Sequence, residues 1–149
     1  MNYIVLDLEW NQCPEGKEKE NSRIPFEIIE IGAVRFQFSL WDSKDSFCRL
    51  IRPSVYSSLH HRTREVISLR SMDFEDAEDF SSVISDFFSW CGENPLFCTW
   101  GPADLTELQR NMAYYGISYS FPFPFFYYDI QKIFSIVYED RKTRRSLEY

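Results

Sequence analysis

The chain reads as a single α/β domain, a mixed β-sheet flanked by helices, and three observations predict it. Ile-, Val- and Phe-rich runs of strand length fill the first third; a run of apolar residues at helical spacing opens at Phe80; short apolar runs then alternate with helical patterns. Strands separated by helices require crossover connections, so part of the sheet is expected to be parallel.

Taken in order, Tyr3 to Leu8 is the first apolar run, and the polar stretch from Asn11 to Pro25 reads as an exposed loop. Glu27 to Phe38 is the second strand. After a turn-like Asp42-Ser43-Lys44-Asp45, Ser46 to Arg52 is the third, ending at Pro53, and the three form a meander. Phe80, Val83, Ile84, Phe87, Phe88 and Cys91 then recur on one helical face and Gly92 stops the helix. Leu96 to Trp100 is a short strand. Leu105, Leu108 and Met112 mark a second helix ending near Gly116, and Ile130, Ile133, Phe134 and Val137 mark a third. A Pro/Phe-rich segment, Phe121 to Phe126, lies between those two helices and leads into Tyr127 and Tyr128.

With 149 residues, 44% of them apolar and 18% aromatic, the chain can bury a core without a metal or disulfide staple, so residues 1–149 are expected to form one domain. The formal charge of -7 excludes a protein that coats nucleic acid with surplus Lys and Arg, but not one that holds cations with carboxylates. Cys13, Cys48, Cys91 and Cys98 show no zinc spacing. Cys48, Cys91 and Cys98 sit in apolar runs and are expected to pack as free, buried thiols, as in a reducing cytoplasm. No stretch has the length and apolarity of a membrane span or a secretory signal, so the expected location is cytoplasmic with no membrane partner.

The chemistry-bearing residues sit at strand ends. Asp7-Leu8-Glu9 closes the first strand, and residues two apart on a strand point the same way, about 6–7 Å apart, so both carboxylates face one place. Hard divalent cations take such oxygen ligands, although the tripeptide taken alone is usually just a solvated strand end. In Trp100-Gly101-Pro102-Ala103-Asp104 a strand turns into a helix whose first turn carries an acid; alone, Asp104 complements the helix dipole. If its strand lies beside the first, Asp104 faces Asp7 and Glu9.

Together these residues resemble the DEDD exonucleases, which include RNase T and the proofreading subunit of DNA polymerase III, and within them the bacterial enhanced-RNAi-type branch. Asp7-Leu8-Glu9 matches the first motif, Glu27-Ile28-Ile29-Glu30-Ile31-Gly32-Ala33-Val34 the second strand, and Asp104 the acid of the second motif, while Trp10-Asn11 marks the branch. The resemblance implies a ribonuclease H-like fold with the first strand central. It also implies Mg²⁺ or Mn²⁺, two ions in a complete site: Asp7 would bridge both, Glu9 would bind the ion carrying the water, and Asp104 would hold the second. The implied partner is a single-stranded nucleic-acid 3' end, with Leu8, Trp10 and His60 as candidate substrate contacts.

The family's third motif is missing. Phe125 stands four before Asp129, Ile136 four before Asp140, and no histidine follows His61, so neither Tyr-x-x-x-Asp nor His-x-x-x-x-Asp occurs after Asp104. Asp129 matches a structural aspartate at a strand-to-helix junction. Ser146-Leu147-Glu148-Tyr149 resembles the start of another helix, so the expectation is a C-terminally truncated exonuclease domain, lacking its final helix and incomplete in catalysis. The sheet face that helix would cover predicts a homodimer or a partner there. His60 or His61 is one candidate substitute base; the alternatives are a surface-exposed polar turn leading into a short helix, or a phosphate contact from Arg62 or Arg64. The run Arg141-Lys142-Thr143-Arg144-Arg145 reads as a solvated charge run or a backbone contact. Three functions fit: a metal-dependent 3'-5' exonuclease, a non-enzymatic binding module on the same fold, and a ribonuclease H-like endonuclease.

Overall fold

The computed structural model describes residues 2–37, 40–67, 70–118 and 126–138. Five strands form one sheet in the order β3-β2-β1-β4-β5. β1 (Asn2–Gln12), β2 (Phe26–Gln37) and β3 (Leu40–Leu50) make the antiparallel meander, and β4 (Pro95–Thr99) and β5 (Tyr127–Asp129) add in parallel on the other side of β1. The four helices are α1 (His61–Ile67), α2 (Phe80–Cys91), α3 (Ala103–Tyr114) and α4 (Ile130–Tyr138). The Pro/Phe segment before Phe126, the basic run 141–145 and the helix-like start 146–149 lie outside the described residues.

Alternation along β1 separates its two roles. Ile4, Leu6 and Leu8 are buried, while Val5 and Asp7 between them are exposed and Glu9 is half-buried. The buried set packs on α2, whose Phe80, Val83, Ile84, Phe87, Phe88 and Cys91 all enter the main core, as their spacing predicts. Asp79 caps α2 by accepting from the Ser82 N–H at 2.9 Å, and Gly92, at φ +75°, takes the left-handed turn that ends it.

Three expectations need correction. β1 does not end at Leu8 but runs to Gln12, because β2 pairs it through Gln12↔Phe26, and only from Cys13 does the polar stretch leave the sheet. The turn expected at Asp42–Asp45 is strand: β3 begins at Leu40, and Asp45 pairs with Arg35 in the ladder and as an ion pair, with the Trp90 Nε1–H donating to it at 2.9 Å. Cys48 is exposed, because it alternates with the buried Phe47, whereas Cys13, like Cys91 and Cys98, is buried.

The β1–β2 register shifts after the facing pair Glu9↔Glu30, so that Trp10 faces Ile28. The extra residue lets Ile28 and Ile31, three apart, both reach the main core, while Ile29 packs with Leu59 and Phe74 in a second cluster. At the other end of the sheet, Ile133, Ile136, Val137 and Tyr138 of α4 and Tyr128 of β5 are exposed, which leaves an apolar surface on α4. No helix among the described residues is long and apolar enough to cross a membrane.

Candidate active site

The β1–β4 ladder covers only Asn2↔Pro95 to Val5↔Cys98, so beyond Val5 that side of β1 has no strand partner among the described residues. The chain of β4 instead turns away at Gly101, φ +96°, where the Thr99 hydroxyl donates to the Gly101 carbonyl at 2.6 Å, and enters α3 through Pro102. A Cβ at Gly101 would lie 3.2 Å from the Gln131 side-chain oxygen, so the turn also brings α4 close. The first turn of α3 thereby lies over β1, and the unpaired Leu8 N–H donates to Asp104 Oδ1 at 3.2 Å.

Three sequence-predicted acids therefore converge. Asp7 and Glu9 flank Leu8, and Asp104 is anchored on Leu8's own amide. Opposite Asp7 stands Gly32, which has no side chain to crowd the carboxylate. The electrostatics are those of an uncompensated anionic site. Burial raises the Asp104 carboxyl to about 6, with the Asp7 charge adding to it and the Leu8 N–H opposing it. Burial also raises Asp7, and burial followed by the charges of Asp7, Glu30 and Asp104 raises Glu9.

Glu30 is a member of this group to which the sequence alone assigns no role. It faces Glu9 across the antiparallel ladder, adds to the raised carboxyls of both Asp7 and Glu9, and accepts a hydrogen bond from the Cys48 thiol at 3.3 Å. Pairing the meander against Asp7-Leu8-Glu9 would have found it. Glu107, one turn after Asp104, is buried and bound to Arg110 through one oxygen at 2.6 Å; its other oxygen has no partner among the described residues.

The other candidates divide. Leu8 is core, 4% exposed, and offers the site its amide rather than its side chain. Trp10 packs against the core with its ring 5.8 Å from that of Phe26. His60 lies outside the acid group: its amide donates to Asn11 Oδ1 at 2.9 Å, its Nδ1 accepts from the Arg62 amide, and its ring lies against His61. It leads into α1, the short helix expected there, and burial followed by the neighbouring His61, Arg62 and Arg64 holds its imidazole below the usual range. Asp129 accepts from the Lys132 N–H at 2.9 Å at the start of α4, the structural role expected of it.

Carboxylate oxygens that repel one another, with no ion-pair partner among the described residues, are the donor set that hard divalent cations neutralise. Asp7, Glu9 and Asp104 fit such an ion in kind, as carboxylate donors, although no three side chains among the described residues close into a complete ligand set.

Comparison with known proteins gives the family. The RNase T exonuclease family model matches residues 4–145, and the chain belongs to that exonuclease family. Among solved structures, the nuclease domain of 3'hExo, a DEDDh family member bound to rAMP, is 21% identical with a TM-score of 0.79, covering 97% of this chain and 74% of that one. Cell-death related nuclease 4 is also 21% identical, TM-score 0.73, over 91% of this chain and 47% of that one. Product-bound exonuclease I is 7% identical, TM-score 0.71, over 92% and 31%. The shared fold is the ribonuclease H-like exonuclease fold with β1 at its centre. Among curated proteins none matches the chain.

Proposed function

We propose that the chain carries the acidic half of a metal-dependent 3'-5' exonuclease that releases nucleoside monophosphates from single-stranded RNA or DNA. The observation that carries this is the hydrogen bond from the Leu8 amide to Asp104, which brings that acid beside Asp7 and Glu9 in an exonuclease-family fold. The relative solved with rAMP, and a 3'-exonuclease described as recognising the 3' end of a histone mRNA stem-loop, support a nucleic-acid end as the substrate. The enhanced-RNAi-type branch and a cytoplasmic setting belong to the same proposal.

Asp7, Glu9 and Asp104 would hold Mg²⁺ or Mn²⁺, which supplies Lewis acidity for attack of water on the phosphorus. The bond to the preceding nucleotide's 3' oxygen breaks, that oxygen takes a proton, and the monophosphate leaves. Asp7 is open to solvent opposite Gly32, and Glu9, two residues on, lies on the same strand face. Asp104, fixed by the Leu8 amide, sets the helix side of the site.

Among the described residues no three side chains close into a metal-ligand set, which favours a second reading, a binding module on the exonuclease fold. One experiment separates them: hydrolysis of 5'-labelled single-stranded RNA and DNA with Mn²⁺ by the chain and by Asp7→Asn. A ladder shortening from the 3' end that disappears in the variant supports the exonuclease. Equal cleavage by both removes Asp7 from the site, and cleavage by neither leaves the binding module.

A further inference from the structure

Past Glu9, β1 continues for three residues, and at Gln12 the surface opens into a cleft of about 400 Å³. Its lining includes Lys17, on a 3₁₀ turn after β1, His60, His61 and Arg62, at the entry to α1, and Phe26. None of Asp7, Glu9 and Asp104 lines it, and Glu20 is its one carboxylate. In a chain of net charge -7 this is a local reversal of sign.

The cleft is tied to the strand that carries the acids. Asn11 of β1 accepts from the His60 amide at 2.9 Å and donates to the Ser58 carbonyl at 3.0 Å, and the Thr63 hydroxyl donates to the Trp10 carbonyl at 3.3 Å. Three residues of strand at roughly 3.3 Å each put Gln12 about 10 Å beyond Glu9. That distance suits a different nucleotide of the same strand from the one held at the acids. Lys and Arg donors bind phosphate oxygens, and the Phe26 ring offers an aromatic wall for a sugar or base.

We propose that this cleft binds a backbone phosphate of the single-stranded nucleic acid, away from the nucleotide to be released. Lys17 and Arg62 supply the charge, and His60 and His61 supply the ring walls. The inference rests on the exonuclease reading for the identity of its ligand.

The test uses the full chain with Ca²⁺ in place of Mn²⁺ and fluorescence anisotropy of a 5'-fluorescein octanucleotide and dinucleotide. Lys17→Ala/Arg62→Ala removes the cleft charge, and Lys19→Ala/Arg64→Ala makes the same charge change outside its lining. All four side chains are exposed, so folding is expected to survive, with circular dichroism as the check. The expected result is a loss of about ten-fold in octanucleotide affinity in the cleft variant alone, with dinucleotide binding unchanged. Its log–log salt slope should become shallower by about 0.7 for each phosphate that the variant no longer neutralises. Equal weakening by both double variants, or by neither, overturns the proposal, as does displacement of the octanucleotide by inorganic phosphate at its own binding concentration, which marks a free-phosphate site. If the wild type binds no octanucleotide, the exonuclease reading falls with it. If Asp7→Asn ends cleavage while the cleft variant binds normally, the cleft alone is wrong.

Discussion

At the residue scale, Asp104 shows what the site costs the fold in the absence of a cation. Its carboxyl titrates near 6 rather than at the ordinary value of 3.8, so between those values the native state binds more protons than the unfolded chain. Stability contributed by the protonated form is complete below about 3.8 and is lost as pH rises through about 6. A displacement of that size corresponds to at most about 3 kcal/mol, and partial solvation reduces it to about 1–2 kcal/mol. Asp104→Asn keeps an oxygen for the Leu8 N–H and removes the charge. Thermal unfolding of the metal-free protein at pH 7 should rise by about 3–6 °C in this variant, and the gain should vanish at pH 3.5. A lower midpoint at pH 7 would show that the carboxylate is better compensated than its surroundings indicate. The acids themselves were legible because period-two alternation in Asp7-Leu8-Glu9 is a local property. Glu30 was not, because only the register of β2 against β1 places it opposite Glu9.

At the element scale, buried polar side chains fix the segment that enters α1. Glu27, 2% exposed, accepts from the amides of Ser54 at 2.6 Å, Val55 at 2.8 Å and Tyr56 at 3.1 Å, while the Tyr115 hydroxyl adds a longer bond. Asn111 of α3 ties the same end of β2, accepting from the Ile28 N–H at 3.0 Å and donating to the Phe26 carbonyl at 2.8 Å. Glu27→Ala leaves those three amides without their acceptor and should cost about 3 kcal/mol in urea unfolding, with Glu27→Gln, which keeps one oxygen, costing less than half as much. A loss below about 0.5 kcal/mol would mean that water replaces the carboxylate freely. These ties were invisible in sequence, since each joins a side chain to main-chain groups far along the chain: Glu27 to residues 54–56, and Asn111 to Phe26 and Ile28. Helix α2 was legible from Phe80 to its stop, because its apolar face and Gly92 are both local. The start of β3 was misread for the opposite reason: Asp42–Asp45 has turn chemistry, and pairing with β2, Arg35 and Trp90 overrides it.

At the scale of the whole molecule, repulsion among Asp7, Glu9, Glu30 and Asp104 makes stability depend on cations. A ligand that binds only the native state stabilises it by RT ln(1 + [L]/Kd), about 1.4 kcal/mol at ten times Kd, or roughly 4–5 °C for a chain of this size. An open ligand set predicts weak binding, so millimolar Mn²⁺ is needed to reach that range. Because Asp104 must lose its proton, the Mn²⁺-induced rise in unfolding midpoint should be larger at pH 7.5 than at pH 5. Asp7→Asn should largely abolish it at both. Screening makes a different prediction: NaCl at matched ionic strength would raise the midpoint of wild type and variant alike. If NaCl reproduces the effect, the acids form a repulsive surface and not a site; if only Mn²⁺ does, and only with Asp7 present, the charge that destabilises the free protein is the charge that holds the ion.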